Sequence, residues 1–166
     1  MKRDGYSNFS YLQALPPQDT QEDTAINGVT INTKGYETVT FVVNVGANTS
    51  AAAFSADNII HVRLEHAHES AAGSPSTWSE VYPSQMIHSV VGEDGAYSTL
   101  TENASGIFVS IDSVGGFAST VYAVGYKGQR QYCRVVVSGV GSPSIYSMGA
   151  IAILGLPANW PVNIPI

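Results

Sequence analysis

Apolar and polar residues alternate with a period of two over most of the chain, the spacing of half-buried β-strands. In the run from Tyr36 to Val45, Val39, Phe41, Val43 and Val45 share one face, while Thr38, Thr40, Val42 and Asn44 share the other. Residues 58–66 repeat the pattern, with Ile60, Val62 and Leu64 inward and Ile59, His61, Arg63 and Glu65 outward. Residues 29–31, 78–82 and 86–91 are read as shorter strands, and in 106–112 Ile107, Val109 and Ile111 alternate against Phe108 and Ser110. Residues 121–126, 132–137 and 145–154 are rich in β-branched and aromatic side chains and predict three strands in succession.

The breaks fall where turn chemistry is concentrated: Asn27-Gly28, Lys34-Gly35, Ser70-Ala-Ala-Gly-Ser-Pro75, Gly92-Glu-Asp-Gly95, Gly115-Gly116, Lys127-Gly-Gln129 and residues 138–143. About eight or nine short strands separated by such turns predict an all-β fold, an antiparallel β-sandwich of jelly-roll character. The one candidate helix, residues 47–54, is too short to stand alone.

Both ends depart from this pattern. Residues 1–25 carry scattered large apolar side chains, Tyr6, Phe9, Tyr11, Leu12 and Leu15, followed by Pro16-Pro17 and a polar run. Consecutive prolines favour an extended path, so this segment is read as an N-terminal arm leading into a sandwich domain over 26–155. The arm either folds back over its own sandwich or lies on a neighbouring subunit, and the two placements stay open. Residues 156–166 form a C-terminal tail in which Pro157, Pro161 and Pro165 exclude an interior strand, and Trp160 is too apolar to float free. Tyr6, Phe9, Tyr11, Leu12, Leu15 and Trp160 are therefore the candidate protein-interaction residues.

Composition narrows the function. Charged residues are 12% of the 166, about half the usual share, so much of the surface is neutral or covered by neighbouring subunits. A net charge of −6 with seven Lys plus Arg argues against nucleic-acid binding; Lys127, Arg130 and Arg134 are the nearest approach to a cationic patch and are read as solvated charges. No run of 18 apolar residues predicts a membrane span, and the first residues lack the apolar stretch of a secretion signal, so assembly in the cytoplasm is expected. Sequons at Asn8, Asn48 and Asn103 are then chance matches. The single Cys133 excludes an internal disulfide and is expected to be a small buried thiol.

Catalytic and metal signatures are sparse. His66 and His68 would share one side of a continuing strand and could seat Zn²⁺ with Glu69 or His88, but exposed edge histidines account for the pair better. Asp57, Glu65, Glu102 and Asp112 are scattered carboxylates, the glycines fit no phosphate-binding loop, and no serine sits in a nucleophile elbow. No enzyme activity and no cofactor are expected.

Three stretches resemble small structural proteins of tailed bacteriophages encoded with the major capsid protein in virion assembly modules. They are Gly35-Tyr-Glu-Thr-Val-Thr-Phe-Val-Val-Asn-Val-Gly46; Val62-Arg-Leu-Glu-His-Ala-His-Glu69 running on to Ser76-Thr-Trp-Ser-Glu-Val81; and residues 122–137 followed by Ala150-Ile-Ala-Ile-Leu-Gly-Leu-Pro157. The resemblance implies a head decoration or cement protein, bound to the outer surface of the major capsid protein lattice of the virion and self-associating, a trimer included. Ser70 to Pro75 stands where that family leads one to expect an acidic turn, which puts any charge role of the loop in doubt. On this view, deleting residues 1–20 should leave a folded domain that binds heads poorly. A head-tail connector or tail protein would share the fold. A carbohydrate-binding or receptor-binding module would instead use Trp78, Tyr82 and Tyr97 as stacking platforms.

Overall fold

A computed structural model describes residues 9–20, 24–48, 59–90, 106–111, 120–141 and 146–157. These contain β1 (Phe9–Asp19), β2 (Ile26–Asn27), β3 (Ile31–Asn32), β4 (Tyr36–Asn48), β5 (Ile59–Ala67), β6 (Ser79–Glu80), β7 (Met86–Val90), β8 (Ile107–Ile111), β9 (Thr120–Tyr126), β10 (Tyr132–Val140) and β11 (Tyr146–Pro157). The alternation sets the inward faces: Val39, Phe41, Val43 and Val45 of β4 meet Ile60, Val62 and Leu64 of β5 and Val135 and Val137 of β10 in one buried cluster. Each such side chain contributes about 1.5–3 kcal/mol when fully buried.

The first sheet runs β1-β11-β4-β9-β7. In the second, β10 and β5 form the centre; β2 and β3 share the outer side of β10, and β8 and β6 share the outer side of β5. Each of these short pairs occupies one strand position. The order is then β1-β11-β4-β9 facing β3-β10-β5-β8, with all pairings antiparallel, which is the double Greek key of an eight-strand jelly roll. β6 and β7 are an insertion between β5 and β8, and β7 extends the first sheet by one strand. The expected all-β sandwich is the fold the chain adopts.

Four sequence expectations change. Residues 9–19, read as an arm leading into the sandwich with its placement left open, are a strand of the body itself: β1 pairs with β11 from Phe9↔Gly155 to Asp19↔Ser147. Pro16 and Pro17 fall inside the register shift between Leu15 and Gln18, on an edge strand where a missing N–H leaves no ladder bond unmade. The arm also ties the sheets together, because Val29 N–H donates to the Ala14 carbonyl at 2.7 Å and Gly28 N–H to that of Val135 at 2.8 Å. At the other end β11 continues to Pro157, which pairs with Tyr36 of β4 beyond the last β1 pair, so the proline has a ladder neighbour on one side alone. Ala47 and Asn48, placed in a candidate helix, complete β4; residues 49–54 lie outside the described residues.

The fourth change is local. Phe108, expected opposite the core, is 1% exposed, because β8 carries one extra residue between Val62↔Val109 and Arg63↔Ile107. A bulge of this kind resets the alternation. Gly106 makes the junction between β8 and β6: Leu64 N–H donates to its carbonyl at 3.0 Å, its φ is +67°, and an added Cβ would stand 2.6 Å from the Leu64 carbonyl oxygen. Gly106→Ala is expected to cost about 2–3 kcal/mol from left-handed strain and backbone crowding, read as a lowered Tm.

Candidate interaction surface

The two sheets present different outer faces. On the first, the register lines up Tyr11, Ile153, Thr40, Gly125 and Ile87 in one row, then Gln13, Ile151, Val42 and Ala123, then Gly149, Asn44 and Val121. None of these residues is charged. Tyr11 and Val121 are each 49% exposed, Ile151 43% and Ile87 61%. Single exposed apolar residues are ordinary; a contiguous neutral set across five strands is a candidate contact surface. Strands about 4.8 Å apart and rows about 7 Å apart give a face of about 500 Å².

The face is hollowed at one end. A depression of about 440 Å³ lies between Tyr11 and Pro17 on one side and Val42, Val121 and Ile151 on the other. Gly149 opens its floor. A Cβ there would meet Cα and Cγ of Pro17 at 3.5 Å, an ordinary contact, so the space exists because a side chain is missing and not because backbone excludes one.

The predicted interaction residues separate. Tyr6 and Trp160 lie outside the described residues. Tyr11 stands on the outer face with the ring of Phe9 6.5 Å away at 59°, and Leu12 is exposed beside the depression. Leu15 is corrected: at 1% exposure it belongs to the protein's own core, because the shift between Gln13 and Leu15 turns it inward, so it cannot anchor a partner. Val42, Val121, Gly149, Ile151 and Ile87 were missed. The signal was present, since β4, β9 and β11 place apolar or small residues at alternate positions on both faces.

The second sheet carries charge. Glu65 Oε2 accepts from Arg134 Nε at 2.9 Å and Nη2 at 2.7 Å, and Glu65 Oε1 lies 3.3 Å from Arg63 Nη2. The Arg134 guanidinium also lies 4.3 Å over the Trp78 ring. Arg130 donates to Ser79 Oγ. Arg130 and Arg134 are thus engaged by different partners and form no joint anion site with Lys127. One face of Trp78, the proposed stacking platform, is covered by Arg134; Tyr82 is exposed, and Tyr97 lies outside the described residues.

His66 is another correction. It continues the inward series Ile60, Val62, Leu64 and is 1% exposed, whereas His68 is exposed as expected. Its Nδ1 lies 2.9 Å from the Tyr126 hydroxyl, which also accepts the Arg130 N–H at 3.1 Å. Burial, with smaller contributions from Arg130 and His68, lowers its pKa to about 4. His61, 3.0 Å through Nδ1 from Ser110 Oγ, is also lowered, by burial first and then by Arg63. Cys133 is fully buried, and desolvation pushes its thiol up to about 12, the inert state expected of it. Among the described residues no three His, Cys, Asp or Glu side chains gather as a metal site, and no helix is long and apolar enough to cross a membrane.

Topology and surface together define a jelly-roll sandwich with one neutral apolar outer face. No family model matches the chain, and no curated protein matches it. Among solved structures it has weak similarity to infectious bursal disease virus. The structure of the Gx strain shares 12% identity at a TM-score of 0.33, covering 92% of this chain and 33% of that one. The Gt strain structure gives 11%, 0.34, 92% and 33%. The crystal structure of the VP2 subviral particle of the same virus gives 10%, 0.28, 90% and 41%. The chain therefore spans about a third of the length of the first two viral chains.

Proposed function

We propose that this chain is a virion structural protein of the tailed-phage decoration type, which binds the outer surface of the major capsid protein lattice through the outer face of its first sheet. The observation that carries this reading is the three-row face with no charged side chain. Covering it desolvates no ion, so contact gains the apolar term without the cost of burying a charge. Its area, about 500 Å², is below the roughly 800 Å² per partner of a stable solution complex. Such a face suits a lattice, where many weak contacts add. The jelly-roll topology agrees with the reading as a fold used in viral shells, though the same fold also builds lectins, so the face and not the fold is the argument. The role is interfacial: the chain stiffens seams between capsomers and turns over no substrate. Its place is the capsid surface of the virion, after assembly in the host cytoplasm, with copies of itself and the lattice as partners and neither nucleic acid nor membrane among them.

Ile151→Lys puts an ammonium group in the middle row at a half-exposed position the fold tolerates. It is expected to weaken binding to undecorated heads about tenfold or more in co-sedimentation, while the melting temperature stays within a few degrees. Undiminished binding would overturn the assignment of the face. Electron microscopy of particles should show density on the outside of the head; density at the neck or tail would replace this reading with that of a connector or tail protein.

A further inference from the structure

Residues 127–131 carry the chain from Tyr126, the last residue of β9 in the first sheet, to Tyr132, the first of β10 in the second, and so cross one end of the sandwich. We infer that the centre of this loop, residues 128–130, is a latch that lifts in acid while the sandwich stays folded, and that His66 is the group that releases it.

Position comes first. Ser79, His66 and Cys133 pair across β6, β5 and β10, next to the loop. Tyr126 reaches this row from the first sheet, its hydroxyl 2.9 Å from His66 Nδ1 and its ring edge-on to the imidazole at 86°. The same hydroxyl accepts the Arg130 N–H at 3.1 Å and lies 3.4 Å from the Arg130 carbonyl oxygen. Arg130 Nη1 donates to Ser79 Oγ. A Cβ at Gly128 would run into the Tyr126 ring, so the loop lies directly on that ring. The two ends of the loop are pinned elsewhere: Lys127 N–H donates to the Gln85 carbonyl at 2.7 Å, and the Gln131 carbonyl accepts from Thr33 N–H at 2.8 Å. Between these pins Arg130 holds the loop to the row through its amide and its guanidinium, and both bonds can break without disturbing either sheet ladder.

Charge supplies the trigger. The groups facing His66 are Tyr126 from β9, Cys133 from β10, Ser79 from β6, Arg130 from the loop and His68 from its own segment; none is an anion in acid, and the last two oppose a positive charge. The carboxylates of these strands are engaged elsewhere: Glu65 with Arg134 and Arg63, Glu80 with Arg63, and Glu69 with Lys34 at 3.9 Å. Lifting residues 128–130 admits water to the imidazolium and carries the Arg130 charge away from it. One local movement thus relieves both desolvation and repulsion and leaves the aliphatic core covered. The closed form, whose imidazole titrates at about 4, refuses a proton that the lifted form takes up near the ordinary 6.5, so opening grows as pH drops between these values. The inference does not rest on the lattice reading, since it concerns the isolated chain.

Hydrogen exchange at the Arg130 amide, read by NMR on the full chain, tests it. From pH 7.5 to pH 4.5 the wild-type protection factor is expected to fall about tenfold or more. The exchange should be insensitive to urea below the unfolding transition, the mark of an opening that exposes little surface. His66→Phe removes the proton acceptor and should abolish the pH response. Tyr126→Phe keeps a ring under Gly128 and removes the hydroxyl, so the Arg130 amide should exchange several-fold faster already at pH 7.5, with the far-ultraviolet circular dichroism of the sheets unchanged. This second variant decides the matter if His66→Phe fails to fold. Protection that falls with urea as steeply as global unfolding, a pH response that persists in His66→Phe, or exchange unchanged in Tyr126→Phe would overturn the inference.

Discussion

Deletion of residues 1–20 is expected to unfold the sandwich, not to trim an appendage from it. The deletion removes all of β1, and with it Ala14 and Leu15, which are essentially fully buried in the core. Loss of one buried leucine with the cavity it leaves costs about 3–5 kcal/mol. The Val29 N–H loses the Ala14 carbonyl and the Tyr146 N–H loses Thr20 Oγ1, both inside the body of the protein. Together with the ladder between β1 and β11, these losses are comparable with the roughly 5–15 kcal/mol that holds a domain of this kind together. The newly bare edge of β11 would in addition invite aggregation. Circular dichroism and thermal melting of residues 21–166 should show no cooperative transition at the full-length temperature. A shorter deletion of residues 1–7 leaves β1 whole and should melt near the full-length chain. A stable, soluble 21–166 fragment would return residues 9–19 to the role of a detachable arm.

Acid is expected to weaken the protein through His66. The folded chain holds this imidazole neutral, with a pKa near 4, whereas in the unfolded chain it titrates near its ordinary 6.5. Between these two values the unfolded state takes up a proton that the folded state refuses, so folding free energy falls as pH drops from about 6.5 to about 4. The difference corresponds to a loss of about 3 kcal/mol that is complete below about pH 4 and absent above pH 7. The groups facing the ring give no relief: the Tyr126 hydroxyl is itself hard to ionise, Cys133 is a neutral thiol, and Arg130 and His68 oppose a positive charge. Urea unfolding at pH 7.5 and pH 4.5 should show the loss in the wild type. His66→Phe keeps a ring in the space and removes the titration, so its stability should fall less between the two pH values. Equal losses in the two proteins would assign the acid lability to the carboxylates.

Much of this molecule can be read from alternation. The runs around Val39 to Val45 and Ile60 to Leu64 predict their inward faces because a strand shows successive side chains to opposite sides, whatever its neighbours are. His66 was legible by the same rule, as the next inward position after Leu64. The neutral rows of β4, β9 and β11 were legible too, once outward positions are asked why they carry Val42, Val121 and Ile151 in place of charge.

Other features were not in the local pattern. Phe108 is turned to the core by a bulge, and nothing in the alternation of β8 reports how many residues oppose β5. Leu15 and Tyr11 sit four residues apart with the same apolar character, yet one is core and the other is exposed on the outer face, because a register shift against β11 lies between them. The sequence by itself determined an all-β body, its inward residues and its turns, since these follow from the geometry of single strands and the chemistry of Gly, Pro, Asn and Asp. Only the tertiary structure decided that residues 9–19 close the first sheet, that β2 with β3 and β8 with β6 each act as one strand, and that Gly149 leaves a hollow beneath Pro17. These depend on which distant segment supplies the ladder and the neighbouring atoms, and a period of two carries no information about that.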